Sequence, residues 1–189
     1  MNYQILNKNY AKKNRIKKTT KLLVTFGGFD ESNLTELFLK VFIKFKFNMK
    51  IKVILGPASR KSKKIKEIEL KFSKTIKIIN KEKSLQNVIS SSEYGICGGG
   101  ITTYEFASMN VPFVIIYQHE HQQITGKIWE KKFEIKNLGF PDNKIESKIE
   151  TYLKNIQNKT ILEKKNFKNV VDGKGVFRVA KEIKNLLNN

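Results

Sequence analysis

Apolar and polar positions along the chain fall into two alternating rhythms. The runs "KLLVTF" (21–26), "IKVILG" (51–56), "TIKII" (75–79), "YGIC" (94–97) and "PFVIIY" (112–117) are short, densely apolar and bounded by Gly, Pro or polar residues. Such runs predict strands buried on both faces. Between them the period changes. Leu34, Leu37, Phe38, Val41, Phe42 and Phe45 line one face of an amphipathic helix, with Asp30 and Ser32 as candidate caps, and Ile65, Ile68 and Phe72 repeat the pattern in a lysine-rich segment. "SLQNVISS" predicts a short helix and Thr102 to Met109 another. The rest of the chain predicts a helix over 124–132, a short strand at "FEIKNL" (133–138) and two C-terminal helical segments. Strand and helix alternating at this spacing predict an α/β, Rossmann-like three-layer domain with a mostly parallel sheet.

In such a sheet, ligands sit beyond the carboxyl ends of the strands. Two glycine-rich turns fall there, "FGGFDES" after the first strand and "CGGGITT" after the fourth. Glycine lets a backbone approach a ligand closely, and free N–H groups at a helix start favour phosphate. Tight turns and close helix-to-sheet packing need the same residue, so both readings stand. Neither turn has the spacing of a P-loop or of a G-x-G-x-x-G dinucleotide site. Glu105 likewise has two readings. Thr102-x-x-Glu105 has the form of a capping box, and a carboxylate one turn into the helix is also a suitable acceptor for both hydroxyls of a ribose.

Composition narrows the field. With 189 residues and 40% hydrophobic content the chain is the size of one globular domain, and its apolar runs are too short to span a bilayer. A cytoplasmic location is expected. The net charge of +20 is carried almost wholly by lysines strewn along the chain, with Arg15, Arg60 and Arg178 as the only arginines. Specific phosphate and base contacts draw on the arginine fork, so no nucleic-acid partner is expected; diffuse positive charge suits peripheral contact with an acidic membrane face better. Cys97 is the only cysteine, and His119 and His121 in "HEH" have no further Cys or His to complete a shell, so neither a metal nor another cofactor is expected. Trp129 reads as core or as interdomain surface.

"VTFGGFDESNLT", "GGGITTYEFASMNVPFVII", "QHEHQQ" and "VDGKGVFRVA", in that order and spacing, resemble the C-terminal domain of GT-B nucleotide-sugar enzymes, the glycosyltransferase family 28 C-terminal type. Within it they are most similar to the branch of UDP-sugar hydrolases of pseudaminic acid synthesis and spore-coat polysaccharide proteins. The resemblance implies the C-terminal half of a GT-B fold over residues 21–189, entered by a linker-like segment over 1–20. It also implies that Gly98, Gly99, Gly100 and Thr102 lie against the diphosphate of a UDP-sugar with Thr103 close by, that Glu105 takes the ribose hydroxyls, and that Gln122 and Gln123, with His121 beside them, contact the sugar. Gly27 and Gly28 match the loop facing the interdomain cleft. "QHEHQQ" is one residue shorter than the loop of the transferases, and the hydrolases carry Asn where His121 stands, so the sugar stays open.

No catalytic residue is assigned. In the family the acceptor site, and in the hydrolase branch the catalytic histidine, belong to the N-terminal domain. The expectation is therefore a UDP-sugar hydrolase or hexosyltransferase half that needs an N-terminal GT-B domain, or else a non-catalytic nucleotide-sugar-binding module or truncated copy. A cleft-facing surface including Phe29 and the loop around Trp129 is expected to be exposed, apolar and prone to self-association.

Overall fold

The computed structural model describes residues 3–11, 17–59, 61–80, 82, 84–160, 167 and 170–188. The five apolar runs form strands β1 (Thr20–Thr25), β2 (Ile51–Leu55), β3 (Ile76–Asn80), β4 (Ser92–Cys97) and β5 (Phe113–Ile116), and a short β6 (Asn137–Gly139) completes the sheet. Its order is β3-β2-β1-β4-β5-β6, with every neighbouring pair parallel. Val24 of β1 aligns with Val53 of β2 on one side and Ile96 of β4 on the other. This is the α/β Rossmann-like layering that the alternation predicts.

Because side chains alternate across a strand, each central strand feeds two cores. Leu22 and Val24 face α1 (Leu34–Lys44), α2 (Lys63–Lys71) and α6 (Ile145–Gln157), where Phe38, Phe42, Ile149 and Leu153 are buried. Leu23 faces the opposite layer, built from α3 (Leu85–Ser90), α4 (Thr102–Ser108) and α5 (His121–Phe133). Helix α1 starts on Asp30, whose two carboxylate oxygens accept from the N–H groups of Leu34 and Thr35, each at 2.8 Å. Ser32 gives no cap; Asn33, in a left-handed conformation, directly precedes the helix.

Three local expectations shift. Helix α5 begins at His121, inside the polar "QHEHQQ" run, rather than near residue 124. Its end explains the shortened β6: Phe133 is still helical, Glu134 closes the helix at φ 53°, and Ile135 turns into the core before the strand starts. Trp129 itself is fully buried and lies within a helix rather than a loop, although Ile124 and Ile128 of the same helix are exposed, and Phe29 is 58% exposed. The other large exposed apolar side chains include Tyr3 and Ile5, and Phe177, Ile183, Leu186 and Leu187 on α7 (Gly175–Leu187), a helix of which only Gly175 is buried. No helix among the described residues is long and apolar enough to cross a membrane.

Part of the N-terminal segment packs onto the domain; residues 1, 2 and 12–16 of it lie outside the described residues. Leu6 and Tyr10, the latter in a 3-10 turn at Lys8–Ala11, are buried in the second core with Val88, Phe167 and Val171. The glycines of "VDGKG" make this possible. A Cβ on Gly173 would stand 2.4 Å from the Tyr10 carbonyl oxygen, and one on Gly175 2.1 Å from that of Gln4.

The cap on α1 gives a direct test. Asp30→Ala leaves two first-turn donors without their acceptor and is expected to lower stability by about 0.5–2 kcal/mol in denaturant unfolding. Asp30→Asn, which keeps one acceptor oxygen, is expected to lose less.

Candidate functional site

The strand order reverses between β1 and β4, and the turns leaving these two strands diverge. Between them opens a cleft of about 470 Å³. One wall is the end of β1 and its turn, Thr25, Gly27 and Gly28; another is the end of β2, Ile54 to Pro57; the third is Ile101, Thr102 and Glu105 of the turn into α4. Glu82 and Leu85 close the outer side.

Glycine does two different jobs here. Gly27 takes φ +87°, and neither it nor Gly28 has any atom within 4 Å of where a Cβ would stand, so the first turn presents bare backbone to open space. Gly100 is equally open. Gly56 is the opposite case: its Cβ would lie 2.1 and 2.3 Å from the carbonyl oxygens of Gly27 and Gly28. The β2 turn thus props the β1 turn from beneath. Gly99 is also a packing glycine, its missing Cβ replaced by contact with Gln122 and Tyr117, while Gly98 stands against Gln118 and Gln122.

The three glycines after β4 are held from the β5–α5 turn. The Gln122 side-chain carbonyl accepts from the N–H of Gly99 at 3.2 Å and of Gln118 at 2.9 Å, and the Gln118 amide donates to the Phe26 carbonyl at 2.7 Å, tying this turn to the end of β1. Thr103 is fully buried behind the site: its hydroxyl donates to the Gly100 carbonyl at 2.8 Å and accepts from the Trp129 indole at 2.9 Å. The N–H groups of Ile101 and Thr102 have no acceptor among the described residues and remain for a ligand.

Glu105 is half-buried at the back of the cleft. The capping box does not form. Ile101 rather than Thr102 precedes α4, and no side chain caps the helix. Burial raises the Glu105 carboxyl above its usual range, and the hydroxyls of Tyr10 and Thr102 facing it partly offset that rise. Cys97, the last residue of β4 before the turn, is buried, and burial with the Glu105 charge pushes its thiol well up, leaving it inert.

The structure therefore gathers Gly27, Gly28, Thr102 and Glu105 into one cleft, with Gly98, Gly99 and Gly100 forming the turn beside it. It places Thr103 in the core behind. His121, Gln122 and Gln123 stand on the far side of the glycine turn and do not line the cleft. The rings of His119 and His121 stack with centroids 5.4 Å apart, and His119 Nδ1 lies 3.6 Å from Glu31, bridging the β5 turn to the β1 turn. Among the described residues no three metal-ligating side chains gather. Sequence reasoning missed Gly56, Glu82, Gln118 and Tyr10. Gly56 carries the same signal as the other turn glycines, a Gly directly after a strand; Tyr10 sits in a polar stretch that gives no sign of burial.

No family model matches the chain. It is 25% identical over 193 residues to the spore coat polysaccharide biosynthesis protein SpsG of Bacillus subtilis, covering 97% of this chain and 55% of that protein. It is 28% identical over 120 residues to an uncharacterized protein of Methanocaldococcus jannaschii, covering 62% of this chain and 25% of that one. The chain thus spans about half or less of the length of these curated relatives. Among solved structures, MnaA of S. aureus in a co-structure with UDP superposes with a TM-score of 0.62 at 14% identity, over 95% of this chain and 50% of that one. The pneumococcal O-GlcNAc transferase GtfA in complex with UDP and GlcNAc gives 0.59 at 11%, over 92% and 37%. These likenesses show the fold, a Rossmann-like α/β domain.

The two kinds of glycine predict opposite outcomes. Gly56→Ala forces backbone against backbone and is expected to cost about 1–3 kcal/mol or more. Gly100→Ala meets nothing and is expected to stay within about 0.5 kcal/mol of the parent. Chemical denaturation of both variants checks the contrast.

Proposed function

We propose that this chain is the UDP-sugar-binding half of a GT-B enzyme of glycan biosynthesis, acting in UDP-sugar hydrolysis or hexosyl transfer together with an N-terminal GT-B domain. The observation that carries this reading is the cleft at the strand-order reversal, where bare backbone at Gly27 and Gly28 and free N–H groups at Ile101 and Thr102 stand beside the half-buried carboxylate of Glu105. Backbone donors suit a diphosphate, and an acceptor-only carboxylate one turn away suits the ribose diol. The turn Gly98 to Gly100 lets the diphosphate come close, and Thr103 supports that turn from the core. Gln122 uses its carbonyl to hold the turn from the side away from the cleft, so a sugar that reaches past the turn is what would meet Gln122, Gln123 and His121. The similarity to a polysaccharide biosynthesis protein over nearly the whole chain supports a place in glycan assembly.

No histidine lines the cleft, whose titratable side chains among the described residues are Glu82 and Glu105. That favours a donor site whose chemistry is completed by a second domain. The alternative is a module that binds the nucleotide sugar without turning it over. A lysine-rich surface of net charge +20 suits work beside an acidic membrane face.

UDP is expected to raise the melting temperature, corresponding to about 2.7 kcal/mol at one hundred times Kd, and ADP to do so less. Equal shifts with every nucleoside diphosphate would reduce the site to generic anion binding. Glu105→Gln is expected to weaken UDP by about 1–3 kcal/mol, the scale of a hydrogen bond to a charged group. Its effect on stability has the opposite sign. The folded carboxyl titrates above its ordinary 4.5, so ionising it costs the fold free energy that is absent below that pH and present in full above the folded value. Glu105→Gln is therefore expected to be at least as stable as the parent at neutral pH, with the difference vanishing in acid. UDP-sugar turnover by the chain alone is expected to be negligible, and to appear with an N-terminal GT-B domain. Robust hydrolysis by the chain alone, abolished by His121→Ala, would place the catalytic base inside it.

A further inference from the structure

Tyr10 is only 3% exposed, yet its hydroxyl meets no partner at hydrogen-bond geometry among the described residues. A buried polar group left unpaired is uncommon and costly. The turn that carries Tyr10 packs on α4, and the group its hydroxyl faces is the Glu105 carboxylate. Nothing in the core requires a phenol there, since the cluster Tyr10 belongs to, with Val88, Ala107, Phe167 and Val171, is apolar and would accept a plain ring.

The position of this side chain is fixed with unusual care for a polar N-terminal stretch. The Tyr10 N–H donates to the Asn7 carbonyl at 2.9 Å, and the Gln86 amide donates to the Asn9 carbonyl at 2.8 Å. The Tyr10 carbonyl lies over Gly173, and that of Gln4 over Gly175. Asp172, next to Gly173, accepts from both terminal guanidinium nitrogens of Arg178 across the first turn of α7.

We propose that Tyr10 is a positioning residue for nucleotide binding: its buried hydroxyl, which has no other partner among the described residues, is the donor available from behind the cleft to aim the Glu105 carboxylate at the ribose diol. The segment over residues 3–11, seated on Gly173 and Gly175, thereby sets ribose recognition. This rests on the reading of Glu105 as the diol acceptor. Burial and the Glu105 charge push the Tyr10 phenol far above its ordinary range, so it stays a donor at every working pH. Burial works against ionised Glu105, and among the described residues the groups facing it are Tyr10 from the N-terminal turn, Thr102 on its own helix, the Cys97 thiol from β4 and, across the cleft, Glu82. Without the Tyr10 donor the carboxyl would hold its proton to higher pH and present one acceptor oxygen fewer.

The test uses the full chain with UDP and dUDP as probes, titrated calorimetrically from about pH 4 to pH 8. The ratio of the two affinities isolates the 2′-hydroxyl and cancels titration of the phosphates, which the two ligands share. Tyr10→Phe is expected to weaken UDP about tenfold, the scale of one hydrogen bond to a charged group, and to bring the UDP-to-dUDP ratio toward that of Glu105→Gln. It is also expected to move the acid loss of binding to higher pH. Adding Tyr10→Phe to Glu105→Gln should change the ratio no further. Gly173→Ala, which displaces Tyr10 through its carbonyl and keeps the phenol, should reproduce the loss of ratio and guards against a packing effect of Tyr10→Phe. If Tyr10→Phe keeps the parent ratio and acid limb while Glu105→Gln loses both, Tyr10 only fills space and the proposal fails. If the parent binds UDP and dUDP alike, or Glu105→Gln keeps the ratio, the reading of Glu105 fails and takes the role of Tyr10 with it.

Discussion

The constraint on which the rest of this molecule depends is the reversal of strand order at β1. Each crossover in a parallel sheet is right-handed, so a chain that builds β1, β2 and β3 in one direction and returns to β4 beside β1 must put its next helices on the opposite face. The turns after β1 and β4 then leave neighbouring strands in opposite directions, and no side chain of the sheet can fill the space between them. The cleft is a product of topology. What the sequence adds is its lining, and the lining requires backbones to pass at distances that only glycine permits.

That requirement links parts of the chain that are far apart in sequence. The second β-turn supports the first through Gly56, the fifth holds the fourth through Gln122, and Gln118 ties both to the end of β1. The same device, a carbonyl resting on a glycine, seats residues 4 and 10 on the start of α7. Close backbone contacts of this kind are rigid, because a carbonyl cannot rotate away as a side chain can. The cleft is therefore framed by fixed main chain, while the groups within it that can reorient are few.

How much of this was legible in the sequence follows from the kind of signal each part leaves. The strands β1 to β5 and helix α1 are readable because burial on both faces, or on one stripe, imposes an apolar period that nothing else imitates. The start of α5 is not, since His121, Gln122 and Gln123 are polar and Gln122 is buried only because its carbonyl holds two backbone amides. Trp129 could be core or surface by spacing alone; the hydrogen bond its indole donates to Thr103, on another helix, settles it as core. Thr102-x-x-Glu105 had the letters of a capping box, but α4 begins one residue too early for Thr102 to cap it. Tyr10 left no local trace at all, because its burial is decided by Gly173 and Gly175, more than 160 residues away in the chain.

Trp129 is the only tryptophan in the chain, it is fully buried, and its indole N–H is held by a hydroxyl that in turn holds the carbonyl of Gly100. Its fluorescence consequently reports from a single, dry site with one defined polar neighbour. Any ligand that moves the Gly100 turn must pass that movement through Thr103 to the indole, so the domain carries a built-in optical sensor of its own cleft, needing no label and read without interference from any other emitter of its kind.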